Sequence, residues 1–310
     1  MNKKIIYDLK SLYRSDLHVY AYEFGEGEES LCIVGSLRGN EIQQMYICSL
    51  LVERLKKMEQ KKLIAPNHKI TVIPCVNTYS MNQSKRFWPQ DDTDINRMFP
   101  GYYAGETTQR IAEGVFDAIK NYTYGVQFTS FYIPGQFSTH IRMMKTGVED
   151  LEDSKLFGLP YVIVRNARPY DTTTLNYNLQ IWNCKAYSFY TKACDFIDEA
   201  SARVACRSVL RFAYEKQLTT LPIPGGYHSE IIEEDNMLSL KSKTAGFMKC
   251  LVKVNDDVHK DMVLARIYDP YEHEVIEEIK APQDGMVFFV HAKDMVYAHT
   301  AVVKLKLNGI

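Results

Sequence analysis

The densest set of groups able to do chemistry lies in KRFWPQDDTDINRMFPG, residues 85 to 101, where Lys85, Arg86 and Arg97 alternate with Asp91, Asp92, Asp94 and Asn96. Guanidinium groups clamp carboxylates through paired hydrogen bonds, and the interleaved Phe87, Trp88 and Phe99 supply walls that exclude water. This composition describes a carboxylate-binding loop equally well as a structural loop whose charges cancel. A second stretch, GSLRGNE at 35 to 41, follows the apolar run Leu31–Val34 and precedes a helical segment. A strand-to-helix turn is a common seat for catalytic groups in α/β proteins, and here it carries Arg38 and Glu41.

The elements that position these residues alternate in type. Leu31–Val34 reads as a buried strand, and from Asn40 the residues Ile42, Met45, Tyr46, Val52 and Leu55, with the small Ser49, follow helical spacing as one apolar stripe. KITVIPCV (69 to 76) is a second buried strand, and the stretch from there to Gly101 is too rich in Asn, Asp, Pro and Gly to be regular. ETTQRIAEGVFDAIKNY is helical, with Ile111, Val115 and Ala118 or Ile119 on one side; YGVQFTSFY, YVIVRN (161 to 166) and KAYSFYT (185 to 191) read as strands. Another helix is expected from about Asp198 to Glu215. The expected fold class is α/β, a mostly parallel or mixed sheet flanked by helices, over residues 1–220. Beyond the Pro/Gly cluster at 222 to 226, short alternating segments such as FMKCLVKV, MVLARIY and MVFFVHA predict a β-rich domain over 221–310.

Composition narrows the function classes. With 37 Lys plus Arg against 38 Asp plus Glu, the net charge near −1 gives no field that would draw nucleic acid or anionic lipid. No run approaches the ~18 apolar residues of a membrane span, and MNKKIIYDLK lacks the apolar core of a leader. The cysteines at 32, 48, 75, 184, 194, 206 and 250 show no CxxC or zinc-finger spacing and sit in apolar segments, as small buried hydrophobes do. A cytoplasmic protein with a small polar ligand is expected, with a homo-oligomer left open.

In order, a strand, GNE, a second strand and DINRMFPG resemble the succinylglutamate desuccinylase/aspartoacylase family of the zinc-carboxypeptidase-like fold. STHIRMM (138 to 144) is similar to that family's Pro-His-Val/Ile-Arg segment, and VNDDVHKDMVLARIYD with APQDGMVFF resembles its C-terminal barrel-like domain. The resemblance implies hydrolysis of the amide of N-acylated amino acids by one zinc ion. It also implies a His-Gly-x-Glu turn giving two ligands, an Asp-Leu-His strand end giving the third, and a later Glu as general base.

The chain departs from that pattern at each of these points but one. Arg38 stands in place of the first histidine while Glu41 matches the retained carboxylate; VQFT puts Val126 and Phe128 where the aspartate and third ligand would be, and Tyr190 takes the base position. A guanidinium has no lone pair to give a metal and repels one at coordination distance, and a phenyl ring donates nothing. The expectation is therefore a pseudoenzyme candidate without cofactor, in which Arg38 carries the positive charge, pairs with Glu41 and attracts an anionic ligand. A plain salt bridge across the turn is the simpler reading of Arg38, a first-turn helix acid that of Glu41, and a hydrogen-bonded loop residue that of His140.

The ligand-holding part of the resemblance is retained. Asn96 and Arg97 match the family's carboxylate-binding Asn-Arg pair, Arg142 matches the arginine of the His-Ile-Arg segment, and Arg86 lies where a further arginine is expected. The expected partner is a small carboxylate or an acylated amino acid, bound by Arg86, Asn96, Arg97, Arg142 and Arg38. The alternative is an active metal-dependent amidohydrolase with non-standard ligands, its chemistry recruited from Glu41, His140 or Tyr190. A metal site formed by His140, Glu41 and one of Asp91, Asp92 or Asp94 belongs to that alternative, and only there is zinc expected. Tyr170, Tyr177, Tyr187 and Tyr190 are candidates for a cleft wall or for packing. PYEHEVIEE in the β domain lacks the modified lysine of lipoyl or biotinyl modules, leaving a structural, capping or interaction role, and a scaffold built on that domain is a third reading of the protein.

Overall fold

The computed structural model describes residues 1–11 and 15–307; residues 12–14 and 308–310 of the two expected domains lie outside it. The chain divides into two units, and the second is assembled from three pieces: Phe131–Ser138, Thr191–Ala193 and Ile232 onward. The sequence suggests a single cut at 220/221, whereas here the first unit runs on to Ile231 and two short loops leave it midway.

In chain order the first unit contains β1 (Asn2–Leu9), β2 (Leu17–Gly25), β3 (Gly27–Ser36), α1 (Ile42–Gln60), β4 (Asn67–Cys75), the short α2 (Thr78–Met81), α3 (Thr107–Ile119) and β5 (Tyr124–Thr129). After β6 (Gly135–Phe137), which belongs to the second unit, come β7 (His140–Lys145), α4 (Leu151–Lys155), β8 (Tyr161–Asn166), α5 (Leu175–Ile181), β9 (Lys185–Tyr190) and α6 (Glu199–Glu215). The nine-stranded mixed sheet has the order β1-β2-β4-β3-β5-β9-β7-β8-β10, and the chain leaves the first unit within its last strand, β10 (Glu230–Glu233). Strands β4, β3, β5 and β9 are mutually parallel, while β2 runs against β1 and β4, and β7 runs against β9 but parallel to β8. The α/β fold class read from the sequence is the observed one. Among the described residues no helix is long and apolar enough to cross a membrane.

Strand periodicity divides the interior into two cores. Leu31 and Ile33 of β3 join one cluster with Val126 and Phe128, while Cys32 and Val34 join the other with Ile111 and Val115 of α3. Asp198 caps α6 by accepting from the Ser201 N–H, as its acidic start suggests. The stripe expected on α1 is displaced. Its buried face is Gln43, Gln44, Ile47, Cys48, Leu51, Leu55 and Met58, and Ile42, Met45 and Ser49 face outward. Counting apolar residues misassigned the face because the two glutamines are buried by hydrogen bonds: Gln43 Nε2 to the Asp198 carbonyl at 3.0 Å, and Gln44 Nε2 to the Thr129 carbonyl at 3.2 Å.

The second unit is all β. One antiparallel sheet has β11 (Met237–Lys241), β18 (Ala301–Leu307), β16 (Gly285–His291) and β13 (Asp257–Val258), with β6 added beside β16. The other has β15 (Val275–Lys280), β14 (Val263–Tyr268), β12 (Gly246–Cys250) and β17 (Met295–Val296). Leu264, Ile267, Val287, Val302 and Leu305 fill the space between them.

Candidate functional site

The groups singled out from the sequence gather where the parallel strands end, the edge at which open α/β sheets place their ligands. Leu37–Glu41 follows β3, Asn77 follows β4 and Ser130 follows β5; Tyr190 closes β9, and His140 opens β7 directly opposite it in register. The turn after β3 folds back on itself. The backbone N–H groups of Leu37 and Arg38 both donate to Glu41 Oε2 at 3.1 Å, and Ser36 Oγ donates to the Glu41 carbonyl. A Cβ on Gly39 would lie 2.2 Å from the Ser80 carbonyl carbon, so only glycine lets this turn pack against residues 80 to 85.

Arg38 is buried, and each of its three guanidinium nitrogens meets a carboxylate. Nη1 donates to Glu41 Oε1 at 3.0 Å, Nη2 to Asp94 Oδ2 at 2.9 Å, and Nε to Asp94 Oδ1 and Oδ2 at 3.1 and 3.0 Å. Burial alone would favour losing the proton, but Glu41 and Asp94 outweigh it and raise the Arg38 pKa above its ordinary value. Glu41 also accepts from Ser130 Oγ at 2.5 Å, and Ser130 in turn accepts from Arg86 Nη1 at 3.3 Å. Arg86 has no carboxylate within ion-pair distance among the described residues. Burial first, then the charge of Arg38, lowers its pKa.

Asp94 joins this cluster to the Asn-Arg pair. Its Oδ1 accepts from the Asn96 N–H at 3.0 Å, capping the single 3-10 turn Ile95–Arg97. Asn96 Oδ1 accepts from Gln127 Nε2 at 3.2 Å and from the Leu175 N–H at 3.1 Å, which fixes the loop to β5 and to the start of α5. Arg97 is about one-third exposed, donates to the Tyr170 carbonyl at 2.8 Å and approaches Asp171 at 3.8 Å. The Arg142 guanidinium lies 5.6 Å from the centre of the Tyr190 ring, which stacks on His140 at 5.0 Å and 5°.

Residues 28–126 match the family described as the Succinylglutamate desuccinylase/Aspartoacylase catalytic domain. Over that stretch the chain is similar to that family. It is 23% identical over 276 residues, 85% of this chain and 77% of the other, to an N-alpha-acetyl-L-2,4-diaminobutyric acid deacetylase of Halomonas elongata. The fold matches a succinylglutamate desuccinylase/aspartoacylase from Rhodobacter sphaeroides with a TM-score of 0.80 at 16% identity, over 98% of this chain and 94% of that one. It also matches the product-bound ectoine utilization protein EutE (DoeB) from Ruegeria pomeroyi, with a TM-score of 0.77 at 16% identity over 96% and 92% of the two chains.

The structure sets several of the sequence expectations in place. Arg38 pairs with Glu41 as expected, and also with Asp94, which the sequence reading did not connect to it. Phe128 points into the core, 5.0 Å from the ring of Phe189, and it is Ser130, two residues on, that reaches Glu41 from β5. Asp91 and Asp92 are exposed, and among the described residues no three His, Cys, Asp or Glu side chains are grouped so as to hold a metal ion. Tyr187 is wholly buried against Phe157 and Phe212, so it packs the core rather than a cleft. Ser130 and Gln127 escaped notice because nothing in a lone serine or glutamine on a strand marks it from sequence.

Asp171 anchors the outer arginines. Burial pushes its carboxyl up, but the Arg165 bond at 2.7 Å, the Arg168 N–H and the charges of Arg165 and Arg97 outweigh this and hold it below the usual range. A carboxyl depressed in the folded state stabilises the fold above its unfolded pKa, and that contribution is lost as pH falls through the folded one. Asp171→Asn is therefore expected to flatten the acid limb of the stability curve, from about pH 4 downward. Urea midpoints at pH 7 and across the acid range check this, and an unchanged acid slope would contradict it.

Proposed function

We propose that this protein is a non-zinc relative of N-acyl-amino-acid deacylases that binds a small carboxylate or an acylated amino acid. The observation that carries this reading is Arg38, which stands in the turn where the family resemblance places a ligand histidine and is bonded to Glu41 and Asp94. The donor chemistry there does not fit a zinc ion. One carboxylate, a serine hydroxyl and a guanidinium 3.0 Å from Oε1 would leave a dication facing a fixed positive charge. Hydrolysis by a zinc-activated water is accordingly not assigned.

The ligand seat proposed is Arg86 with Arg97, Arg142 and the Asn96 amide. Arg86 supports it best, since a half-buried guanidinium with no carboxylate partner gains most from an arriving anion. The seven cysteines are free and mostly buried, which supports a reducing compartment, and we place the protein in the cytoplasm. A small-molecule partner is proposed, not nucleic acid or membrane.

Thermal shift with N-acetyl-L-aspartate, N-acetyl-L-glutamate and the free amino acids tests the reading, together with zinc content after purification without chelator. A ligand at 100 times its Kd adds about 2.7 kcal/mol of stability. The expected result is a shift with one of these carboxylates, its loss in Arg97→Ala and in Arg86→Met, and no stoichiometric zinc. Chelator-sensitive amide cleavage would favour the second reading, an amidohydrolase with non-standard ligands, for which the stacked His140 and Tyr190 beside Arg142 are the supporting observation.

A further inference from the structure

A cavity of about 530 Å³ lies within the first unit, where the end of α4, the last turns of α6 and the segment leading from α6 to β10 meet. It shares no lining residue with the candidate site. Its walls are mostly cationic: Lys155, Arg211 and His228 line it against a single carboxylate, Glu215. The wall that follows α6 is the Pro/Gly cluster, and it is held firmly. Arg207 Nη2 donates to the Pro224 carbonyl at 3.0 Å, the Tyr227 N–H to the Gly158 carbonyl at 2.9 Å, and Ser229 Oγ to the Leu159 carbonyl at 2.6 Å.

Arg211 sits at the centre of this arrangement. Its guanidinium is partly buried and lies against two glycines of positive φ: a Cβ on Gly226 would be 2.6 Å from Nη1, and one on Gly158 would be 2.9 Å from Cδ. The hydrogen bond it makes among the described residues is long, Nη1 to the Ile223 carbonyl at 3.4 Å, and no carboxylate there is within ion-pair distance. A cation near a helix C-terminus commonly serves the helix's own carbonyls. Here Arg211 reaches past α6 to residue 223, and Lys155 bonds the Glu152 side chain at 2.7 Å, a surface pair worth little and readily exchanged for another anion.

We propose that this cavity binds a small, soluble phosphate monoester, with Arg211 as its main anion-binding residue and Lys155 and His228 beside it. A phosphate offers two oxygens to a planar guanidinium and a third to an ammonium, whereas a single carboxylate would leave one of the two cations unmatched. The volume lies in the range of small-molecule sites. Glu215, one turn after Arg211 on α6, opposes the ligand, so removing its charge should tighten binding. This site is independent of the function proposed above.

Isothermal titration calorimetry on the full-length chain at fixed ionic strength tests it, with inorganic phosphate and glycerol 3-phosphate as ligands and glycerol and succinate as controls. Both phosphates are expected to give saturable heat and both controls none. Arg211→Met should weaken binding at least about tenfold, the loss of a charge-assisted hydrogen bond. Glu215→Gln should tighten it about two- to fivefold, and Arg86→Met should leave it unchanged. Absence of saturable heat with either phosphate, or equal binding of succinate, would overturn the proposal. So would weakening by Arg86→Met in place of Arg211→Met, which would put the anion in the candidate site, or heat with phosphatidate vesicles but not with glycerol 3-phosphate. If circular dichroism shows that Arg211→Met is unfolded, the exposed Glu215→Gln decides, and unchanged or weaker binding contradicts the assignment.

Discussion

Arg38→Ala is expected to destabilise the first unit by about 3–5 kcal/mol, the usual cost of removing one partner from a buried ion pair. In a unit of this size that corresponds to a fall in Tm of about 6–20 °C. The loss is large because the substitution strands two carboxylates: Glu41, itself wholly buried, and Asp94, which gives both oxygens to the guanidinium. Arg38→Lys keeps the charge but cannot satisfy both carboxylates with a single ammonium, and should fall between wild type and alanine. Urea denaturation at neutral pH checks both expectations. A loss below about 1 kcal/mol for Arg38→Ala would mean that the cluster is solvated and the pairing inconsequential.

Trp88→Ala should cost a comparable amount, about 3–5 kcal/mol, for a different reason. Its indole is fully buried, stacked on Tyr79 at 5.6 Å, and its backbone bonds to Thr93 and Asp92 at both ends of a tight turn. Removing it leaves a cavity beneath the loop that carries Arg86, Asp94, Asn96 and Arg97. Binding is therefore expected to weaken along with stability, which separates Trp88→Ala from a distant core truncation such as Leu55→Ala. A ligand-induced shift retained in full by Trp88→Ala would show that the loop holds its shape by polar bonds alone.

Much of this arrangement was legible in the chain because its signals are local. The β-branched run at 69 to 76, the period of Ile111 and Val115, and the turn at 35 to 41 each follow from the geometry of a single element. Arg38 and Glu41 were found together because they share a turn. Asp94 was noticed but not joined to Arg38, since a separation of 56 positions carries no pairing signal. Ser130, which bonds Glu41, was not singled out, because a lone serine after a strand carries no pairing signal; Phe128, two residues earlier, packs on Phe189 in the core. The face of α1 was misread because hydrophobicity cannot reveal which glutamines will find partners. The N-terminal strands β1 and β2 were missed: β1 edges the sheet with a largely solvent-facing pattern, while β2 lies inside it and buries Leu17, Val19, Ala21 and Phe24.

The pairing of β6 with β16 joins residues roughly 150 positions apart, a distance that bears on the order of biosynthesis. A nascent chain emerging from its N-terminus can form most of the first sheet while Phe131 and Phe137 still await a strand that has not been translated. Premature termination anywhere before residue 285 would leave those two rings exposed, a sticky patch for chaperones to recognise and proteases to remove. Quality control would thus sense whether the far end of the polypeptide has been made.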